Sequence, residues 1–444
     1  MKRVITYGTY DLLHQGHINL LQRAKALGDY LIVGVTTDNF DLERGKLNVC
    51  DNVMKRIESV RQTGLADEII IEEYVGQKID DIRRYDIDIF AIGSDWEGKF
   101  DYLNEFCQVV YLPRTEGISS TMLREERKAV RLGIVGTGNI AHRFVREAAF
   151  VSRNVIAAAY NPDQQQCNAF CQEMNIPLVA DNYAALLEAC DAVYIASPHL
   201  THFDYAMQAL QAGKHVLCET PLCFREAEAK ALLTCAQKQG LVLMTALKTA
   251  YCPAFKHAMT LLKSGVIGEI VDISASVTTL TDETSDKLNS DMAGGSMSEN
   301  ACFPMLPIFR LLGTEWKDLH FFTKMKRGTD IYTKAILDYG MSIATFQVGL
   351  GVKSEGNMVV SGTKGYLYVP APWWKTDYFE IRYEDQNQNR KFFYPYEGEG
   401  LRYEIKEFIT NISNSTHDYQ LLPEEVVAMA RLQEQYINMT NNQR

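Results

Sequence analysis

The chain contains no long hydrophobic segment, no paired cysteine motif and no tract of basic residues. No apolar run approaches the roughly 18 residues that a membrane-spanning helix needs, so we expect no transmembrane span. Residues 1–7 lead directly into a strand-like pattern, which predicts that the chain carries no signal peptide. These absences favour a cytoplasmic protein.

The 10 cysteines are scattered, and no two of them form a Cys-x-x-Cys pair. Zinc sites and redox-active disulfides usually show such spacing. We therefore predict reduced thiols that serve as small apolar side chains, and no protein-bound metal. The formal net charge of −11 argues against a nucleic-acid partner, because phosphate backbones are bound by basic surfaces.

With 444 residues the chain exceeds what one compact core holds, and two separate nucleotide-binding starts divide it. Each start is a short apolar strand that ends in glycine and leads into a helix, at residues 4–8 and again at residues 131–136. Strands that alternate with helices predict parallel sheets covered on both faces. From about residue 268, long alternating runs predict antiparallel strands instead.

We therefore predict an α/β protein with three domains. A Rossmann-like domain covers residues 1–128, and a dinucleotide-binding Rossmann domain covers residues 129–252. An α+β domain built on an open antiparallel sheet follows at residues 253–444, where it would bind substrate or mediate oligomerisation.

The segment that begins at Gly8 places two histidines, in the pattern His-x-Gly-His, at the start of a helix. A helix N-terminus binds anions through its unpaired N–H groups and the helix dipole. Imidazole donors at this place can stabilise charge that develops on nucleotide phosphates during in-line displacement. The pattern predicts a nucleotidyltransferase in which His14 and His17 are catalytic.

A second phosphate-binding helix start is predicted well downstream, where Arg114, Thr115, Ser119 and Thr121 precede or open a helix. Arginine offers bidentate contact to a phosphate, and the hydroxyl groups add further donors. A plain helix cap would use only one of these hydroxyls.

Together the two blocks resemble the glycerol-3-phosphate cytidylyltransferase family, and the likeness covers residues 1–127, including the stretches 24–30 and 93–101. The resemblance implies that CTP, accompanied by Mg²⁺, reacts with a polyol phosphate to give a CDP-polyol and pyrophosphate. It implies that Lys46 and Arg114 join the two histidines as catalytic residues. It also implies a nucleotide-binding set made of Gly8, Thr9, Tyr10, Asp11, Arg44, Arg61, Asp95, Trp96, Thr115, Ser119 and Thr121.

This sequence departs from the family pattern in one region, which borders the acceptor pocket in the family. The Glu-x-Arg-Lys helix start is replaced by residues 51–54, and three extra residues follow Thr63. The acceptor therefore need not be glycerol 3-phosphate.

The second nucleotide-binding start has Gly136, Gly138 and Ala141 at the spacing of a pyrophosphate-binding turn. The end of the second strand, at residues 159–162, holds neither an acid for a ribose hydroxyl nor an arginine for a 2′-phosphate. The sequence predicts NAD or NADP without choosing between them.

Residues 131–440 resemble the glucose-fructose oxidoreductase / inositol dehydrogenase family, whose members move hydride between NAD(P) and a sugar or polyol carbon. The resemblance rests on residues 192–202 and 213–222. It implies a cofactor-binding set made of Gly136, Gly138, Asn139, Ile140, Ser197, Pro198, His202 and Glu219.

Two positions where that family carries its proton-transfer chemistry are altered. The family's Glu-Lys-Pro lysine is replaced by Thr220, and the family's acid/base residue is replaced by Phe303, which cannot move a proton. Candidates to replace them are Lys248, Tyr251 and Glu299, of which we predict Lys248 as catalytic.

Two interpretations stay open. The chain is either bifunctional, or a monofunctional transferase whose second half is redox-inactive and serves binding, NAD sensing, regulation or dimerisation. In both we expect a homo-oligomer, dimer or tetramer, that supplies wall or capsule polysaccharide synthesis.

Overall fold

The computed structural model describes residues 2–43, 49, 51–74, 76–113, 129–282 and 284–442. The chain forms two compact units, Met1–Ala129 and Val130–Arg444. The further division of the second unit at residue 252 stays a prediction. Among the described residues, no helix combines the length and apolar character that crossing a membrane requires.

The first unit is a parallel five-stranded sheet with the strand order β3-β2-β1-β4-β5. Its strands are β1 (Arg3–Gly8), β2 (Tyr30–Thr36), β3 (Glu68–Glu72), β4 (Ile89–Gly93) and β5 (Gln108–Leu112). Its described α-helices are α1 (Gln15–Lys25), α2 (Asp38–Glu43), α3 (Val53–Gln62) and α4 (Gln77–Arg84).

Apolar clusters cover both faces of this sheet, as expected for parallel strands. The strand order reverses between β1 and β4. In open parallel sheets, ligands bind beyond the carboxyl ends of the strands at such a reversal. The fold therefore predicts a ligand site at the segments that follow Gly8 and Gly93.

The second unit begins with another parallel five-stranded sheet, in the order β10-β9-β8-β6-β7. Its strands are β6 (Val130–Val135), β7 (Asn154–Tyr160), β8 (Ala192–Ile195), β9 (His215–Glu219) and β10 (Leu243–Ala246). Its helices are α5 (Asn139–Ala148), α6 (Gln164–Met174), α7 (Tyr183–Ala189), α8 (His202–Gln211) and α9 (Glu226–Gln239). The order reverses between β6 and β8, beside the glycine turn.

An eight-stranded sheet follows, in the order β12-β13-β14-β11-β15-β16-β17-β18. Its strands are β11 (Ile270–Thr278), β12 (Asp318–Lys326), β13 (Thr329–Asp338), β14 (Ile343–Gly349), β15 (Met358–Gly362), β16 (Gly365–Val369), β17 (Tyr378–Tyr383) and β18 (Arg390–Phe393). The helices of this region are α10 (Pro253–Lys263), α11 (Ser296–Asn300), α12 (Cys302–Leu312), α13 (Leu401–Asn414) and α14 (Pro423–Asn442).

The prediction of an antiparallel sheet needs one correction, because β11 and β14 pair in parallel. The chain between these two strands first forms α11 and α12 and then the β12–β13 hairpin. This long excursion lets β14 return beside β11 in the same direction, which a short hairpin connection could not do. The sheet is therefore mixed.

Candidate active sites

The two histidines of the His-x-Gly-His pattern lie together at the N-terminus of α1. Their rings stack with centroids 3.9 Å apart, and His14 is the residue that caps the helix. The Nδ1 atom of His14 accepts a hydrogen bond from the Gly16 amide at 3.1 Å. This bond assigns the proton to Nε2, which is the donor that a phosphate oxygen needs.

The loop between β1 and α1 has an unusual backbone that brings these rings to the sheet edge. Tyr10 and Leu12 are both buried and have φ values of 53° and 48°, which non-glycine residues rarely adopt. A Cβ atom at Gly8 would lie 2.9 Å from the Tyr10 ring. Glycine at this position therefore lets the Tyr10 ring pack against the strand end, where its edge faces His17 with centroids 5.5 Å apart.

A fully buried arginine on α3, Arg56, holds this loop. Its guanidinium donates to the carbonyl of Thr9 at 2.7 Å and to Asp38 at 2.6 Å, and it lies 3.2 Å from buried Asp41. Thr9 in turn donates to Asp41 at 3.0 Å. Arg56 therefore links the end of β1, the start of α2 and α3 into one charged network beneath the histidine loop.

The segment that departs from the family pattern touches the same loop. The Asp51 amide donates to Asp11 at 2.9 Å, and the Asp51 carboxylate pairs with Lys55 at 2.7 Å. Asp11 is buried. The divergent residues are thus bonded directly to the loop that carries His14.

The other predicted nucleotide-binding residues of the first unit are distributed more widely. Asp95 and Trp96 follow β4 and are exposed, and the Lys99 ammonium lies 5.2 Å from the Trp96 ring. Arg61 is exposed and pairs with Glu58 at 2.6 Å on its own helix. Six predicted residues lie outside the described part of the chain: Arg44, Lys46, Arg114, Thr115, Ser119 and Thr121.

In the second unit, the glycine turn lies between β6 and α5. Gly136 has φ 91°, and a Cβ atom there would lie 2.4 Å from the carbonyl oxygen of Ala196. Gly138 caps α5, and a Cβ atom there would point into open space. Asn139 is exposed and Ile140 half-buried at the helix start. A turn of this shape, with room above Gly138, fits the diphosphate of a dinucleotide.

Two loops of the dinucleotide fold are joined by a buried imidazole. The ring nitrogens of His202 lie 2.8 Å from the carbonyl oxygens of Ser197 and Pro221. Burial lowers the pKa of His202 to about 4. His202 therefore joins the loop after β8, which contains Ser197 and Pro198, to the loop after β9.

Glu219, the last residue of β9, belongs to a buried charged group. It accepts a hydrogen bond from the Tyr194 hydroxyl at 2.5 Å, and burial raises its pKa to about 7. Glu404 on α13 is 1% exposed, and burial raises its pKa well above the usual range, with the charge of Glu219 adding to the effect. The positive charge of Lys248 lowers the pKa of both carboxyls and so opposes the effect of burial.

The three residues proposed to replace the missing acid lie in different surroundings. Lys248 donates from Nζ to the Glu399 carbonyl at 2.8 Å, and burial together with the charge of Lys375 lowers its pKa. Tyr251 is buried and donates to the Thr245 carbonyl at 3.3 Å. Glu299 pairs with Lys287 at 2.7 Å.

Glu299 also lies 3.6 Å from His199, which lines a cavity of about 600 Å³ together with Ser298. Phe303, at the start of α12, packs half-buried against the core. Lys248 and Glu299 both combine partial burial with charged neighbours on other elements, and Lys248 is the one whose pKa is lowered by its surroundings.

Sequence reasoning missed Arg56 in the first unit and Glu404 in the second. A signal exists for each, because both charges share a helix face with apolar residues at i+4, Val60 and Phe408 respectively. A charge on an otherwise apolar face indicates a buried ion.

The comparisons with known proteins divide the chain in the same way. The family described as "Cytidylyltransferase-like" matches residues 5–126, and "Oxidoreductase family, NAD-binding Rossmann fold" matches residues 130–247. The first part is similar to the glycerol-3-phosphate cytidylyltransferase of Bacillus spizizenii, with 52% identity over 126 residues. That match covers 28% of this chain and 97% of the relative.

The second part is similar to scyllo-inositol 2-dehydrogenase (NADP(+)) of Bacillus subtilis, with 26% identity over 64% of this chain and 89% of the relative. In fold it resembles a 3-ketoreductase from Actinomadura kijaniata solved with NADP and TDP-benzene. The TM-score is 0.62 at 24% identity, over 69% of this chain and 96% of that chain. The α/β architecture and the order of the two parts predicted from the sequence are confirmed.

Proposed function

Since this chain belongs to the glycerol-3-phosphate cytidylyltransferase family through its first unit, and its second unit carries an oxidoreductase-family Rossmann fold, we propose that the first unit transfers cytidylyl from CTP to a polyol phosphate. The single observation that carries the proposal is the stacked pair His14 and His17 at the N-terminus of α1, beside the strand-order reversal.

In this reaction a phosphate oxygen of the acceptor attacks the α-phosphorus of CTP. The new P–O bond forms as the bond to the β-phosphate breaks, and pyrophosphate leaves. Negative charge grows on the oxygens of the reacting phosphates. Nε2 of His14 and the ring of His17 donate to those oxygens, and the positive end of the α1 dipole adds to the stabilisation.

The remaining roles follow the family pattern. Asp95 and Trp96 would hold the cytosine beyond β4. Arg44, Lys46, Arg114, Thr115, Ser119 and Thr121 would hold the triphosphate. Within the described residues, no group of three or more His, Cys, Asp or Glu side chains could hold a metal ion, and Mg²⁺ would arrive bound to CTP as part of the substrate.

The acceptor is a polyol phosphate whose polyol is set by the divergent residues 51–54. The hydrogen bond from Asp51 to Asp11 supports this assignment, because it connects those residues to the catalytic loop. Incubation with CTP and a panel of polyol phosphates, followed by pyrophosphate release, tests it. We expect one preferred acceptor and poor use of ATP or GTP; equal rates with ATP would indicate an adenylyl transferase.

For the second unit we propose an NAD(P)-dependent oxidoreductase that acts on a sugar or polyol carbon. The turn at Gly136 and Gly138 would bind the diphosphate of the cofactor, with Asn139, Ile140, Ser197, Pro198 and Glu219 around it. The cofactor supplies or accepts a hydride when bound. Lys248 would give its proton to the carbonyl oxygen of the substrate as that carbon becomes an alcohol carbon.

Lys248 lies on the segment directly after β10. The observation that supports it as the acid is that burial and the charge of Lys375 lower its pKa. Its lowered pKa makes the ammonium a better proton donor than an exposed lysine. The replacement of the family's acid positions by Thr220 and Phe303 supports the alternative, a redox-inactive module that binds the cofactor and regulates or dimerises the transferase.

Titration with NADH and NADPH, followed by a screen of keto-polyol phosphates, separates the two functions. If Lys248 is the acid, Lys248→Met lowers the rate of hydride transfer at least about 100-fold while cofactor affinity stays unchanged. The exposed residue Lys364 offers a matched control, Lys364→Met. Rapid turnover unaffected by Lys248→Met would leave Glu299 or Tyr251 as the acid, and cofactor binding without any turnover would favour the redox-inactive module.

We propose further that the protein is a homo-oligomer that uses the eight-stranded sheet. A row of directly paired residues across this sheet is partly exposed: Ile336, Thr345, Ser274, Val359 and Tyr368. Light scattering of the wild type and of Val359→Lys tests this surface; an unchanged mass would reject it. The CDP-polyol would then supply a cytoplasmic step of wall or capsule polymer synthesis.

A further inference from the structure

A short loop in the second unit carries an acidic side chain into a group of cations. Gly398 and Gly400, with φ values of 56° and 81°, flank Glu399. A Cβ atom at Gly398 would lie 2.2 Å from Glu147, and one at Gly400 would lie 2.0 Å from the Tyr396 hydroxyl. The positive φ values at both flanks favour glycine and support this conformation of the Glu399 loop.

Three cations from three elements surround Glu399. Its carboxylate lies 2.9 Å from Nζ of Lys375 and 4.0 Å from Nη1 of Arg143, and its carbonyl accepts the Lys248 hydrogen bond at 2.8 Å. Arg143 lies on α5, the helix that the glycine turn opens. We call Arg143, Lys248 and Lys375 the basic cluster.

Glu399 is the ionised carboxylate among these cations. The pKa of Glu399 is lowered, first by its hydrogen bond from Lys375, so this carboxylate is ionised. Of the other carboxyls in this region, Glu219 and Glu404 have raised pKa values, whereas Glu147 and Glu397 pair with Arg402. Glu399 is therefore the carboxylate that occupies the donors of Lys375 and Arg143, and a second anion that binds there has to displace it.

We propose that the basic cluster is a phosphoryl-binding site and that Glu399 is the internal anion which a phosphoryl group displaces. The proposal rests on the oxidoreductase function proposed above, and it deepens that function by assigning an anionic ligand to the site. Phosphate oxygens match the ammonium and guanidinium donors that Glu399 now occupies.

The exposure of the three side chains allows this exchange. The side chains of Glu399, Lys375 and Arg143 are 40%, 34% and 55% exposed, so a ligand can reach them from solvent. Rotation about the side-chain bonds of Glu399 moves its carboxylate away from Lys375 and Arg143 without any change in the backbone at the two glycines. Arg143 and Lys375 bind the phosphoryl oxygens directly, whereas Lys248 keeps its bond to the Glu399 carbonyl, contributes its positive charge and remains in place as proton donor.

The phosphoryl group has two possible sources, the phosphate of a phosphorylated keto- or aldo-polyol and the diphosphate of NAD(P). Both share the chemistry of a phosphate ester. The basic cluster contains Lys248, the proposed proton donor, and Arg143 on α5, the helix that the glycine turn opens. The substrate would use the first and the cofactor the second.

Calorimetric titration of the full chain with inorganic phosphate tests the site without any need for turnover. We expect Lys375→Met to weaken phosphate binding at least about tenfold, because it removes one charge-assisted donor. Glu399→Gln should strengthen binding several-fold, because it removes the competing charge. Lys364→Met is the matched control and should equal the wild type, since it leaves both units' sites unchanged.

The first unit also binds phosphate in our proposal, but it is identical in all these variants, so differences between them belong to the basic cluster. Equal phosphate affinity of Lys375→Met and Lys364→Met, together with no gain in Glu399→Gln, would overturn the proposal. That result would not affect the proposed oxidoreductase function, which depends on cofactor binding and hydride transfer.

Two further measurements identify the source of the phosphoryl group. If the substrate supplies it, Lys375→Met raises KM for a keto-polyol phosphate about tenfold but leaves KM for the dephosphorylated compound unchanged. If the cofactor supplies it, Lys375→Met instead raises the Kd of NADH or NADPH, measured by cofactor fluorescence. No change in any of these constants relative to Lys364→Met would reject both sources and with them the site.

Discussion

The two units place their candidate sites at the same position in similar sheets, yet they assemble them differently. Each site lies beyond the carboxyl ends of parallel strands. The first lies where the strand order reverses, and the second extends from the reversal at Gly136 to the ends of β9 and β10. In the first unit the central groups, Tyr10, His14 and His17, lie within one loop and one helix start. In the second unit Glu219, Lys248 and Glu404 come from distant segments and meet only in the folded chain.

This difference predicts which substitutions disturb the geometry of each site. A site built on one loop depends on whatever holds that loop, and here this is the network of Arg56. A site built from several segments depends on the balance among its charges, since no single element fixes all of them. Mutations can test both statements.

The largest effect is expected from Arg56→Met. Loss of the guanidinium removes the buried cation that faces Asp41 and the donor to the Thr9 carbonyl, which costs about 3–5 kcal/mol in the free energy of unfolding. Arg61→Met, on the exposed side of the same helix, should cost about 0–1 kcal/mol. Chemical denaturation of both variants measures the difference; equal costs would show that the loop is held by other contacts.

Next in size is the effect of removing either histidine. His14→Ala and His17→Ala should each lower the rate of cytidylyl transfer about 100-fold or more, since one transition-state donor is typically worth 3–4 kcal/mol. His14→Asn keeps a capping side chain on α1 but lacks Nε2, so it separates catalysis from helix capping. Normal turnover of CTP by His14→Asn would remove His14 from the mechanism.

The same contrast explains what the sequence could predict. His-x-Gly-His and the Gly136 turn are contiguous patterns that impose their own local structure, so their chemistry could be inferred before the fold was known. Arg56 and Arg61 lie on one helix, and only the helix face tells them apart: Arg56 shares its face with buried Val60.

Contacts between distant segments leave a weaker trace in the sequence. Glu404 lies 1% exposed beside Lys248, although 155 residues separate them in the chain. The parallel pairing of β11 and β14 likewise depends on how the intervening chain folds back, and alternating hydrophobicity looks the same in parallel and antiparallel pairs.

A smaller effect is expected at the glycine turn, where two neighbouring substitutions should differ. Gly136→Ala forces a Cβ atom toward the Ala196 carbonyl at a φ of 91°, so we expect a loss of about 1–3 kcal/mol in stability of the second unit. Gly138→Ala meets no atom within 4 Å, so stability should hold while cofactor affinity falls about tenfold or more. Unchanged NAD(P)H binding by Gly138→Ala would place the diphosphate elsewhere.

The smallest expected effect is a pH dependence that arises from Glu219 in the second unit. Burial raises the pKa of Glu219 from 4.5 to about 7, so between these values the folded protein binds more protons than the unfolded chain. Stability contributed by this group is therefore complete below about pH 4.5 and is lost as the pH rises through 7. Glu404, with its raised pKa, adds an effect of the same sign.

Glu219→Gln removes the titration but keeps an oxygen that can accept the Tyr194 hydrogen bond. The melting temperature of the second unit should fall less between pH 5 and pH 8 in this variant than in the wild type. The expected difference is about 2–4 °C, corresponding to roughly 1 kcal/mol. Thermal scans across this range measure it, and the transition of the first unit, which lacks Glu219, serves as the internal reference. An equal pH dependence in both proteins would show that Glu219 stays ionised across this range, and proton uptake by the buried carboxyls of the second unit would then belong to Glu404.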